Sequence, residues 1–145
     1  MAQTGPNNLL ERLFEVGVLL TEALDRGLAE QGLTRARAEV IWRLHQHGPM
    51  TQRELSDALR CTPRNVTGLV DALEAAGLVT RSPHPSDRRA TLVTLTEQGG
   101  AAAATWHAEL RRLATFLLGD LDGADHGAFV AMLDRVLRRL RKTAN

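Results

Sequence analysis

Two short stretches carry the residues best suited to chemistry. In "TPRNVTGL", Arg64, Asn65, Thr67 and Gly68 come just after Thr62 and Pro63. Arginine can hold guanine through two parallel bonds, asparagine can hold adenine in the same way, and a threonine methyl can rest on the methyl of thymine. In "SPHPSDRRATLVTLTEQG", the adjacent charges Asp87, Arg88 and Arg89 sit in a loop stiffened by Pro83 and Pro85. A turn needs only Gly, Asn, Asp or Pro, so arginines at its tip point to an anionic partner. Arrangements for catalysis are missing: there is no phosphate-binding glycine loop, no nucleophile elbow and no pair of carboxylates set for a cleft. The expectation is a binding protein, not an enzyme, with no cofactor.

The elements around these stretches can be read from periodicity. Leu10, Leu13, Phe14, Leu20, Leu24 and Leu28 recur at helical spacing after Asn7 and Asn8, until Gly32 stops the run. A second helix starts at Thr34, turns Val40, Ile41 and Leu44 inward, and ends at Gly48 and Pro49. Thr51 with Glu54 forms a capping box for a short helix with Leu55 and Leu59 facing in. After the turn "RCT", Thr62 caps the next helix and Pro63 takes its first position, where a missing N–H costs nothing. Val66, Leu69, Val70 and Leu73 define the buried side of this helix; Arg64, Thr67, Gly68 and Asp71 fall opposite, with Asn65 lateral. Gly77 closes the helix in the left-handed conformation and lets Leu78 pack back on Leu73. The β-prone runs "LVTR" and "ATLVTL" then flank the charged loop, where Ser82 and His84 are extended because each precedes proline.

Helix, turn, helix, strand, loop, strand over residues 34–95 reads as a winged helix-turn-helix lobe. Beyond it, Thr96 caps a helix that Gly119 ends, and the last helix carries Phe129, Val130, Leu133, Val136, Leu137 and Leu140 on one stripe. The apolar stripes of the terminal helices exceed what the small lobe can cover, so their natural partner is a second copy. The predicted fold is mainly α with a small β-wing, a single domain over 1–145 whose helical dimerisation region comprises 7–31 and 96–142.

Composition sets bounds on the partner. The chain has 145 residues, 43% hydrophobic and 3% aromatic, with a net charge of only +1, which argues against a general coat for polyanions. Charge is segregated instead: residues 43–89 hold seven Arg against five acids, whereas residues 1–30 hold two against five. The five bases of residues 135–142 suit the end of a helix dipole. Scarce aromatics speak against binding single strands by base stacking. The single cysteine, Cys61, excludes an internal disulfide and a zinc ribbon. The start "MAQTGPNNLL" has no basic leader region and no apolar run reaches spanning length, so a cytoplasmic protein with no membrane partner is expected.

The stretch "SDALRCTPRNVTGLVDALEAAGLVTRSPHPSDRRATLVTLTEQG" resembles the core of the MarR family of bacterial regulators. The family pattern falls on Leu73, Glu74, Gly77 and Leu78, on Asp87 and Arg89 in the wing, and on Leu95, Thr96 and Gly99. The resemblance implies a homodimeric repressor that binds a pseudo-palindromic operator in double-stranded DNA and is released by a small-molecule effector. It implies a recognition helix in the major groove, with Thr62, Arg64, Asn65, Thr67 and Gly68 as its DNA-binding residues. The wing residues Asp87, Arg88 and Arg89 would meet the minor groove, Asp87 orienting Arg89 through a short salt bridge and Arg88 touching phosphate. The family often has arginine where this chain has Gly68, and a basic residue where it has Ala72, so a relative's operator does not carry over.

Other readings are weaker. Cys61 could sense peroxide, but family cysteines of that kind lie near the first helices, and a packed turn residue is the simpler expectation. His45 and His47 could chelate, yet no His-x-x-x-His pair or matching Cys and Glu set accompanies them, so no metal is expected. "DLDGAD" lacks the glycine and acid positions of a calcium loop and reads as a turn with a helix cap. The rival from another class is a winged-helix module that binds protein rather than DNA. Effector-binding residues are left open.

Overall fold

The computed structural model describes residues 5–144; the opening residues 1–4, which enter the expectation about a leader, and residue 145 lie outside the described residues. The helices are α1 (Pro6–Glu30), α2 (Arg35–His47), α3 (Gln52–Leu59), α4 (Pro63–Ala75), α5 (Glu97–Leu118) and α6 (Gly123–Thr143); the strands are β1 (Met50–Thr51), β2 (Val79–Pro83) and β3 (Thr91–Leu95). Packing divides the chain into two compact units at His107.

The first unit is built on the inward faces expected from periodicity. Leu28 of α1, Val40 and Leu44 of α2, Leu55 of α3, Val66 and Val70 of α4, and Val93 of β3 are all essentially inaccessible to solvent. The sheet is antiparallel in the order β1-β3-β2, with Met50 opposite Val93 and Val93 opposite Arg81. The sequence pattern anticipated β2 and β3 but not β1. That strand exists because Thr51, as N-cap of α3, is held extended by its capping box with Glu54 and thereby pairs with Leu92.

The corner from α4 into the wing and the start of α5 are stitched together. Gly77 has φ of 76°, and the Leu78 N–H reaches back to the Leu73 carbonyl at 2.9 Å. Thr96 donates its hydroxyl to the Gly77 carbonyl at 2.6 Å and accepts the Gly99 N–H at 3.0 Å. A Cβ on Gly99 would stand 2.0 Å from the Leu78 carbonyl oxygen, so only glycine permits this approach. Ala103, a turn further on, is buried. The first turns of α5 thus pack with the wing lobe, whereas the pattern in the sequence placed the division at Thr96.

The second unit holds the rest of α5 and α6, with Asp122 accepting the Asp125 N–H at 2.8 Å as N-cap of α6. None of its described residues is buried, and Phe116, Phe129, Val130, Met132, Leu137 and Leu140 are exposed. In α1 only Leu28 is buried, and Leu9, Leu10, Phe14, Val16 and Leu19 are exposed.

Candidate nucleic-acid interface

α3 and α4 meet at a tight corner. Arg60 turns the chain in the left-handed region at φ 51°, and Cys61 is tied to Ser56 twice. The Cys61 N–H bonds the Ser56 carbonyl at 3.2 Å, and the Ser56 hydroxyl donates to the Cys61 carbonyl at 2.6 Å. Cys61 is half-buried and packs against the core. Thr62 accepts the Asn65 N–H at 3.2 Å and Pro63 opens α4. With this cap made, Val66, Val70 and Leu73 are buried, and Arg64, Asn65, Thr67, Gly68 and Asp71 are exposed on the remaining surface.

These exposed groups are not equally free. The Arg64 and Asn65 side chains have no hydrogen-bonding partner among the described residues. The Thr67 hydroxyl is occupied: it donates to the Pro63 carbonyl at 3.0 Å and accepts from Gln52 Nε2 at 3.3 Å, which leaves mainly its methyl to offer. Nothing lies within 4 Å of a Cβ built on Gly68. A groove of about 480 Å³ opens there, with Ala36, Glu39, Leu59 and Cys61 on one side and Arg64, Asn65, Gly68 and Leu69 on the other.

The wing tip is closed by its own backbone. The His84 N–H bonds the Ala90 carbonyl at 3.0 Å, and the Ala90 N–H bonds the Asp87 carbonyl at 3.1 Å. His84 Nδ1 accepts the Ser86 N–H at 3.2 Å. Asp87 does not form the expected salt bridge with the Arg89 guanidinium; its carboxylate accepts the Arg89 backbone N–H at 3.0 Å. An aspartate in a turn is drawn to the main-chain N–H two residues on, which needs no long side chain to be ordered. Arg88 and Arg89 are exposed, and their guanidinium groups have no ion-pair partner among the described residues.

One participant escaped the reading of the sequence. Arg81, near the middle of β2, donates Nε to Gln52 Oε1 at 2.9 Å and Nη1 to Glu74 at 2.7 Å. Its Nη2 lies 2.7 Å from the Asp71 carboxylate and 3.3 Å from the Thr67 carbonyl. Burial alone would lower its pKa, but the hydrogen bonds and charges of Asp71 and Glu74 outweigh that and raise it above the ordinary arginine value. The signal lay in the strand's period of two: Val79 is buried, so Arg81 falls on the same inward face.

One of the two histidines considered as chelators, His45, is engaged otherwise. The His45 ring stacks on Trp42 at 5.7 Å, and His107 stacks on Trp42 at 5.3 Å. No helix among the described residues is long and apolar enough to cross a membrane.

A capped helix with free Arg and Asn donors on its first turn, set beside a hairpin with a cationic tip, defines a winged helix-turn-helix protein. The comparisons agree. The MarR family model matches residues 33–91. The HTH-type transcriptional repressor NicR of Pseudomonas putida is 31% identical over 130 residues, covering 85% of this chain and 82% of NicR. Apo MarR from E. coli superposes with a TM-score of 0.73 at 26% identity, covering 89% of this chain and 96% of that one. A mutant of MepR from S. aureus, bound to an oligodeoxyribonucleotide, shares the fold with a TM-score of 0.67 at 22% identity, covering 90% of this chain and 97% of that one. The chain belongs to the MarR family of winged helix-turn-helix transcriptional regulators.

Proposed function

We propose that this regulator is a repressor that binds a pseudo-palindromic operator as a homodimer and is released by a small-molecule effector. The observation that carries the reading is the first turn of α4, where the cap is satisfied internally while Arg64 and Asn65 stay exposed and unengaged. These two side chains are assigned to base edges in the major groove, the Thr67 methyl to an apolar base contact, and Thr62 and Gly68 to close approach of the backbone. Arg89 is assigned to the minor groove, whose negative potential attracts guanidinium, and Arg88 to phosphate. Asp87 shapes the loop that presents them.

The dimer is supported by the apolar residues that α1 and α6 leave exposed. NicR is named a repressor, and the MepR structure carries DNA, which favours the same class of action here. Paired major-groove readers need half-sites about 34 Å apart, so an effector need only favour a mis-spaced dimer. Its leverage is limited by its differential affinity for the two states. Such a protein works in the cytoplasm and performs no catalysis.

The test is selection of genomic fragments by the full chain, followed by gel-shift titrations against salt. Enrichment of a two-fold symmetric sequence, bound with a strong negative salt slope, is expected. Binding to no duplex, or to all equally, would overturn the reading in favour of a protein-binding winged helix.

A further inference from the structure

We propose that Arg81 is a positioning residue for operator recognition: it locks the recognition helix in register with the wing and neutralises the acids of α4 that would otherwise repel DNA phosphates. The inference rests on the DNA-binding reading above and gives a role to a side chain that need not touch DNA.

The geometry calls for such a link. The wing leaves α4 through the left-handed corner at Gly77, and β2 is hydrogen-bonded along its length to β3, not to α4. Arg81 joins the two across that gap. Its guanidinium reaches Glu74, Asp71 and the Thr67 carbonyl, positions spread over two turns of α4, which fixes both the rotation and the axial level of the helix. Through Nε it also reaches Gln52 at the start of α3, and Gln52 in turn bonds Thr67. Three elements of the reading head converge on one planar group. Only a guanidinium has N–H groups fixed in enough directions to serve these partners together; an ammonium would act as a single point charge.

Charge gives the contact a second consequence. Asp71 lies on the same exposed face as Arg64 and Gly68 and is itself well exposed. A free carboxylate there would repel the phosphates that border the groove Arg64 enters. Paired with Arg81, its field is largely cancelled. Both carboxylates remain solvated, and exposed ion pairs add little to stability. The network therefore acts mainly through geometry and local potential.

The test uses the full chain with the selected operator and a random duplex of equal length. Arg81→Lys keeps the charge but loses the fork, and Asp71→Asn with Glu74→Gln keeps Arg81 but removes its anionic anchors. Both variants are expected to melt like the parent, and both should lose about tenfold in preference for operator over random DNA. Hydrogen exchange on the free protein is read in parallel. The His84 amide, which closes the wing, should exchange about fivefold faster in both variants as local opening becomes easier. A parent-like preference in Arg81→Lys would show that charge alone suffices and overturn the positioning role, as would unchanged exchange at His84. If the parent itself prefers no duplex, the repressor reading falls, and the exchange result still decides whether Arg81 holds the wing.

Discussion

The reading head and the terminal helices solve the problem of apolar surface in opposite ways. In the lobe from α2 to the start of α5, each element turns an apolar face onto a common core, and caps, corner and wing are tied by bonds made within the chain. In α6 no residue is buried, and in α1 a single leucine is. Both helices nevertheless carry as many large apolar side chains as the elements of the lobe. Apolar content alone therefore does not tell which part of a chain folds on itself. The lobe obtains its order from its own neighbours, whereas the apolar residues that α1 and α6 leave exposed are the basis of the dimer proposed above.

That contrast makes the largest predicted effect. Leu137→Asp with Leu140→Asp places charges on the α6 stripe, where both leucines are already exposed within one chain. Were the chain a monomer, the change would be close to neutral. For an obligate dimer it should abolish both dimer and cooperative unfolding, because such subunits often have no stable folded monomer. Light scattering and denaturant titration read the two outcomes. A well-folded monomer, or an unchanged dimer, would remove the contrast between the two regions.

Within the lobe the largest effect should come from Gly99. Gly99→Ala sets a methyl against the Leu78 carbonyl, with Leu95 Cδ2 a further 3.0 Å neighbour. Backbone cannot yield as a flexible side chain does, so the cost should be about 3 kcal/mol, at the upper end for overpacking. It should appear as a lower melting temperature with the dimer interface intact. A neutral result would mean that the join between α5 and the wing is loose.

A third test, with two separate variants, should leave folding untouched and separate the two DNA-facing elements. Arg64→Ala should cost about 1–3 kcal/mol on the operator and relax preference at one base pair. Arg89→Ala should weaken binding as well, and the salt slope tells how. A change of about one ion per site means phosphate neutralisation, and a smaller change means groove reading. Equal weakening by Arg64→Ala on operator and random DNA would demote the helix to a phosphate contact.

Legibility in the sequence followed the range of the interactions. The helix starts at Thr34, Thr51, Thr62 and Thr96 were readable because a cap is decided within four residues, and the structure makes a side-chain cap bond at each. The inward faces of α2 and α4 were readable because a helical period repeats the same information several times. β1 was not, since a strand of two residues has no period to detect. Arg81 was passed over because its partners lie 7 to 29 positions away and become neighbours only when the wing folds beside α4. Thr67 was legible as an outward residue, but the capture of its hydroxyl by Pro63 and Gln52 was not.

Asp87 gives the smallest and most delicate test of the wing. Its carboxylate was expected to aim the Arg89 side chain, and in the structure it holds the Arg89 main chain instead. Asp87→Ala therefore removes a support of the loop while leaving the guanidinium without any lost partner of its own. The same change deletes a negative charge from a tip that approaches phosphates, which favours binding. Exposed charges are screened within about 8 Å at physiological salt, so the electrostatic gain is small and fades further as salt rises. The lost bond to a charged acceptor is worth more in principle, but the tip is solvated and water replaces part of it. Loop order should win narrowly, weakening operator binding by about 0.5 kcal/mol, well below the Arg89→Ala effect. Asp87→Asn supplies the control: it deletes the charge but keeps an oxygen that can accept the Arg89 N–H, so it should bind as well as the parent or slightly better. If Asp87→Ala also binds more tightly than the parent, the wing does not depend on this bond, and the carboxylate acts only as a local repulsion.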